Sequence, residues 1–135
     1  RVSDRVMAST SATPDEAVKR VVSAMTEHSF MVGGTGRACT DVMARAGGRV
    51  FVKVGAEGVY AGGVAERGLG FAIKVADGGR RAVEVAVVRV LSELGVFSSD
   101  DVAALRQHAN PTLYNTRGEE VGQIRAAFDL VGAAA

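Results

Sequence analysis

Lys53 is the residue whose type and place could do chemistry. It stands in the stretch Arg49-Val-Phe-Val-Lys-Val-Gly-Ala-Glu-Gly58. Strand alternation puts Val50, Val52 and Val54 on one face and Phe51, Lys53 and Gly55 on the other. Gly55, two residues beyond the lysine on its own face, lets a ligand come close to the backbone. An ammonium on a strand suited to burial must find a partner or lose its charge, because desolvation disfavours the charged form. The 16 basic residues divide into three lysines (Lys19, Lys53, Lys74) and thirteen arginines. Lysine is the side chain able to release a proton near neutral pH, and arginine is not. The plainer alternative is an edge-strand lysine whose head snorkels to water.

The elements that must position this strand follow from periodicity. Thr13-Pro-Asp-Glu16 has the form of a helix start, with Thr13 as cap, Pro14 in the first helical position and Glu16 completing a capping box. Val18, Val21, Val22 and Met25 recur at helical spacing, which predicts a stripe facing a core and a helix ending near His28. Phe30-Met-Val-Gly-Gly-Thr-Gly-Arg37 steps into a glycine-rich turn. A phosphate cradle there would lack the Gly-Lys-Ser/Thr that completes a phosphate loop, so a close approach of backbone to a neighbour is the favoured reading. Thr40 to Arg45 reads as a short helix stopped by Gly47-Gly48. Cys39 reads as a small buried hydrophobe, since no base can be named beside it.

After the Lys53 strand, Val59-Tyr-Ala-Gly-Gly-Val64 and Leu69-Gly-Phe-Ala-Ile-Lys-Val75 predict two more strands, joined at Ala65-Glu-Arg-Gly68, in an antiparallel meander. Arg80 to Glu93 is the longest helix, stopped at Gly95 and laid over the sheet by Ala82, Val83, Ala86, Val87, Val90, Leu91 and Leu94. Ser98-Ser-Asp-Asp101 caps a further helix running to about His108. Asn110-Pro111 breaks the chain, and Asn115-Thr-Arg-Gly118 turns into a strand from Val121 to Phe128. The ends carry less information. Val2, Val6 and Met7 read as the tail of a helix, Ser9 to Thr13 as a linker, and Val131 to Ala135 as a frayed end.

Composition narrows the functional classes. The chain has 135 residues, 47% hydrophobic and 23% charged, with a net charge of +1. That is one domain, or a large part of one, with enough chain for a real core. The near-neutral charge points away from nucleic acid and other polyanions. A single cysteine rules out an internal disulfide and a cysteine-rich zinc cluster. No apolar run has the length of a membrane span, and no signal peptide is visible, so a cytoplasmic protein is the default expectation. Heavy use of Ala, Val, Arg and Gly has the look of a GC-rich bacterial gene.

Lys53-Val54-Gly55 resembles the Lys-Thr-Gly strand of serine acyl-transfer enzymes of the β-lactamase and penicillin-binding type, with Val in place of Thr. In such enzymes a second cation activates the serine hydroxyl and strand N–H groups help bind an oxyanion. Four stretches read in order carry a closer resemblance: Gly33-Gly-Thr-Gly-Arg37, Cys39-Thr-Asp-Val-Met43, Phe51-Val-Lys-Val-Gly-Ala-Glu-Gly58 and Gly68-Leu-Gly-Phe-Ala-Ile-Lys74. With the helix after Asp77-Gly-Gly-Arg80 and the late Asn115-x-x-Gly118-x-x-Val121-Gly122, they resemble the C-terminal part of bacterial asparaginase II enzymes of the Rhizobium kind. The resemblance runs from about Thr13 onward.

That family implies an α+β fold: an antiparallel sheet covered by helices, the C-terminal portion of a serine β-lactamase-like architecture. It implies hydrolysis of L-asparagine to L-aspartate and ammonia by serine–lysine acyl transfer. Lys53 would be the catalytic strand lysine, with a depressed pKa. Gly55 and Ala56 would offer backbone contacts to the substrate amide, and Thr35, Arg37 and Glu57 would line the site. The family's Ser-x-x-Lys nucleophile belongs to its N-terminal part. Here Glu16, Val50 and Phe71 stand three residues before the three lysines, and Gly-x-Ser-x-Gly is absent.

The expectation is therefore a C-terminal segment of a larger asparaginase-like domain, inactive alone and needing that N-terminal part as partner. The chain itself holds no cofactor on this reading, and the family's metal site also belongs to the N-terminal part. A homo-oligomer is expected, with no nucleic acid and no membrane as partner. Two other readings stay open: a non-catalytic binding or assembly module with an open sheet edge, and a fragment of a penicillin-recognising hydrolase.

Overall fold

Three β-strands folded back on one another form the centre of the protein: β2 (Val50–Val54), β3 (Val59–Val64) and β4 (Leu69–Lys74). The computed structural model describes residues 7–10 and 16–132. The expected meander is present, with Lys53 opposite Ala61 and Val54 opposite Tyr60 in one pair, and Gly62 opposite Phe71 in the next. The Ala65–Arg67 turn is a single 3-10 turn closed by Gly68 in the left-handed region, where lack of a Cβ removes the strain. The fold is α+β, as the sequence implied.

A fourth strand was not foreseen. Met7–Thr10 forms β1 and pairs antiparallel with β4, giving the order β1-β4-β3-β2. The sequence reading placed these residues in a helix tail and a linker. Four residues without apolar alternation carry no strand signal of their own; the unpaired edge of β4 supplies the hydrogen bonds. The expected cap over Thr13-Pro14 lies outside the described residues.

The core face of the sheet carries Val50, Val52, Tyr60, Val64, Phe71, Ile73 and Val75, all buried. The other face carries Lys53, Ala61, Ala72 and Lys74, all exposed. Two adjacent glycines in β3 are each covered by an aromatic ring. A Cβ on Gly62 would meet Phe71 Cζ at 3.0 Å on the core face, and one on Gly63 would meet Phe51 Cζ at 2.7 Å on the other. Each ring belongs to the glycine's own cross-strand partner.

Helices α3 (Ala38–Ala46) and α4 (Arg80–Glu93) cover the core face. α4 has the length and ends read from the sequence, but Val85 and Val88 are buried beside the expected stripe. Its far side packs against α5 (Ser99–Ala104) and α6 (Arg106–Ala109), so it is apolar on two sides. The single helix expected from Ser98 to His108 is two helices, broken at Leu105. Ser98 and Asp101 form the expected capping box. Leu105 is buried in the core, so tertiary packing bends the chain there.

Two further expectations are corrected. α1 (Glu16–Glu27) exists and ends just before His28, and of its expected stripe Met25 packs, partly buried, against the core and Val22 is half-buried, but no residue is fully buried and Val18 is 50% and Val21 59% exposed. It is followed by α2 (Ser29–Gly33), where Phe30 is 59% and Met31 82% exposed. An amphipathic pattern fixes the helix but not what covers its stripe. The strand expected from Val121 to Phe128 is β6 (Glu120–Gln123), paired only with β5 (Thr112–Tyr114). Beyond it the chain has no regular secondary structure and is held where Arg89 donates to Phe128 O at 3.3 Å and pairs with Asp129 at 2.6 Å.

Candidate functional site

The end of β2 is where the sequence-derived residues meet. Lys53 lies on the face away from the core and is exposed. Its Nζ donates to the carbonyl of the next residue, Val54, at 3.1 Å. Because β2 is the last strand of the sheet among the described residues, alternate peptide groups on it face an edge without a further strand. Gly55 N–H turns inward to Val59 O at 2.8 Å, so Val54 N–H and C=O face outward. The Lys53 ammonium has folded over that edge to reach the Val54 carbonyl.

Gly55, Ala56 and Glu57 form the exposed β2–β3 turn. Glu57 adopts φ +54°, a left-handed conformation uncommon without glycine. The turn is held from below. Lys74 Nζ donates to Glu57 O, and Gly58 O accepts Val75 N–H at 2.9 Å. Gly58 is buried at φ +68°, and a Cβ there would sit 2.9 Å from Gly78 C. This close approach sets the turn against the loop preceding α4, where Asp77 Oδ1 accepts Gly79 N–H at 2.7 Å.

Thr35 and Arg37 lie in the turn between α2 and α3; Thr35 is exposed and Arg37 half-buried, at the N-cap of α3. The turn's contacts run inward: Thr40 Oγ1 donates to Gly34 O at 2.7 Å, and a Cβ on Gly33 would crowd Thr40 Oγ1 at 2.6 Å. The close-approach reading of these glycines holds at Gly33. Arg37 shares the start of α3 with Cys39, which touches the end of β2. That is the link between the glycine-rich turn and the Lys53 strand; Lys53, Gly55, Ala56 and Glu57 are joined directly by the chain.

Cys39 is buried, as expected, yet it is more than a hydrophobe. Its Sγ accepts Val54 N–H at 3.3 Å and the Tyr60 hydroxyl at 3.1 Å. Burial first, then this hydrogen bond, pushes the Tyr60 phenol far above its ordinary range, so it remains a donor. Tyr60 had no sequence signal beyond its place in a strand, and 21 residues separate it from Cys39.

A second polar cluster lies elsewhere. His108, 5% exposed on α6, brings Nε2 to within 2.6 Å of Asp41 Oδ2 and Nδ1 to within 4.0 Å of Glu84 Oε2. Glu84 is also paired with Arg80 at 2.5 Å. In the sequence His108 marks only the end of a helix. Among the described residues, no group of three or more His, Cys, Asp or Glu side chains could hold a metal ion. A cavity of about 110 Å³ between α4, α5 and α6, lined by Val85, Arg89, Ser92 and Asn110 among others, includes none of the Lys53 residues. No helix among the described residues is long and apolar enough to cross a membrane.

Fold and site together define an α+β protein whose antiparallel sheet presents a lysine and a glycine-braced turn at an edge that no further described strand pairs with. The family model for L-asparaginase II matches residues 1–126, and the chain belongs to that family. No curated protein matches it.

Proposed function

We propose that this chain supplies the lysine-bearing wall of a site that hydrolyses L-asparagine to L-aspartate and ammonia. The observation that carries this reading is the placement of Lys53 beside the exposed Gly55-Ala56-Glu57 turn, at an open sheet edge, in a chain matched to L-asparaginase II over residues 1–126. A serine hydroxyl would attack the side-chain amide carbon of asparagine. The C–N bond breaks, ammonia leaves with the hydroxyl's proton, and an aspartyl ester forms. Water then cleaves that ester to aspartate and free serine. Lys53 relays the proton at the serine hydroxyl, and the turn backbone at Gly55 and Ala56 faces the amide, the Gly55 N–H itself being held by Val59 O. Thr35, Arg37 and Glu57 line the substrate.

The nucleophile comes from outside these motifs, because no Ser-x-x-Lys pair includes Lys19, Lys53 or Lys74. On this reading the 135-residue chain alone is inactive, and the serine β-lactamase-like architecture is completed by the family's N-terminal part. The test is ammonia release from L-asparagine by the full reading frame containing this segment, wild type against Lys53→Met. Activity that collapses in a folded variant supports the role of Lys53; equal activity makes it a solvated edge lysine. Turnover by the isolated chain would overturn the missing-nucleophile reading.

A second reading, a binding or assembly module, is favoured by one feature: Val21, Phe30 and Met31 present exposed apolar surface along α1 and α2. An inactive full-length protein in a stable self-associated state would favour it.

A further inference from the structure

The residue whose carbonyl seats Lys53 is held through its N–H by a sulfur. Val54 N–H faces the open edge of β2, where no strand among the described residues can accept it. Cys39 Sγ takes that hydrogen at 3.3 Å, and Val54 O, on the same edge, takes the Lys53 ammonium at 3.1 Å. The sulfur is itself anchored by the Tyr60 hydroxyl at 3.1 Å, and Tyr60 is the cross-strand partner of Val54. One residue of β2 is thus gripped from α3 and from β3 at the point where it holds Lys53.

We infer that Cys39 is a positioning residue: its sulfur, by holding the Val54 N–H on the edge of β2, fixes Val54, the residue whose carbonyl seats the Lys53 ammonium. A thiol is a weak acceptor, so its worth lies in being buried, pre-set and the acceptor of two hydrogen bonds. Backbone drift here moves the ammonium and the Gly55-Ala56 turn together, and misplacement of about 1 Å costs a catalytic site about a hundredfold in rate. The catalytic part of this inference rests on the reading of Lys53 given above.

The test uses two readouts that need no activity. One is hydrogen exchange of the Val54 amide by NMR; the other is the acylation rate of Lys53, with Lys19 as internal control. In the wild type, Val54 N–H is protected despite lying on an edge; an unprotected amide overturns the inference outright. Cys39→Ala accelerates Val54 exchange about tenfold and speeds Lys53 acylation several-fold relative to Lys19. Cys39→Ser keeps an acceptor and restores both.

An alanine variant that leaves both rates unchanged, or a folded serine variant that restores neither, overturns the clamp. In the full reading frame, Cys39→Ala lowers kcat ten- to a hundredfold with KM little changed, and Cys39→Ser recovers most of it. Lys53→Met separates the two ideas. If that variant keeps activity, the catalytic role of Lys53 fails, while exchange and acylation still decide whether the sulfur holds the strand end.

Discussion

His108 Nε2 stands 2.6 Å from Asp41 Oδ2, joining α6 to α3 across 67 residues of chain. Asp41 Oδ2 also accepts from Gln107 Nε2 at 2.9 Å, and because an ionised carboxylate can only accept, the tautomer with its proton on Nε2 is the one that satisfies the His108 contact. Asp41→Ala leaves that N–H on a nearly buried ring without its partner. The expected loss is about 1–3 kcal/mol in urea unfolding. Wild-type stability in the variant would make the link ornamental.

Gly58 and Gly68 both have positive φ, but only Gly58 is crowded. A Cβ at Gly58 would lie 2.9 Å from Gly78 C, whereas Gly68 has nothing within 4 Å. Gly68→Ala should cost about 1 kcal/mol, the conformational strain alone. Gly58→Ala should cost clearly more, because the β2–β3 turn must also move from the loop before α4. Equal thermal midpoints for the two variants would refute the packing part of that argument.

Phe51 and Phe71 cover adjacent glycines from opposite sides of the sheet, and they differ in burial. Phe71 is 4% exposed in the core, while Phe51 is half-buried. Phe71→Ala should cost about 3–5 kcal/mol and Phe51→Ala about 1–2 kcal/mol. A chemical unfolding series on the two variants checks the order, which follows from the apolar area each ring removes from water.

Asp101 is held well below the usual carboxylate range, at about 2, chiefly by the Ser98 backbone N–H, then by the Ser98 hydroxyl and Arg45. A carboxyl whose folded-state pKa is depressed contributes stability above its unfolded value of 3.8 and loses it as pH falls toward 2. Asp101→Asn should therefore flatten the acid limb of the stability profile between about pH 4 and pH 2. Stability measured across that window with an unchanged slope would show that the Ser98 cap does not depend on the charge.

Much of the fold was legible because its elements carry local signals. The Lys53 strand shows period-2 alternation, the α4 segment a helical period, and Ser98 with Asp101 a capping box whose two halves are three residues apart. The Thr40 helix was placed within two residues at its start and one at its end. The misreadings occurred where neighbours decide. Met7–Thr10 becomes a strand through the free edge of β4, Leu105 breaks a helix because the core takes its side chain, and β6 ends at Gln123, opposite Thr112, where its antiparallel partner β5 begins.

The site divides in the same way. The sequence by itself determined that Lys53, Gly55, Ala56 and Glu57 share one strand end, because consecutive residues cannot be far apart. It also determined the family, since glycine-rich motifs recurring in order need no coordinates to be read. Only the tertiary structure decided that Cys39 and Tyr60 meet at Val54, and that Asp41 meets His108. These contacts are set by how helices lie on the sheet, a matter of summed packing over many side chains, and no spacing in the chain encodes them.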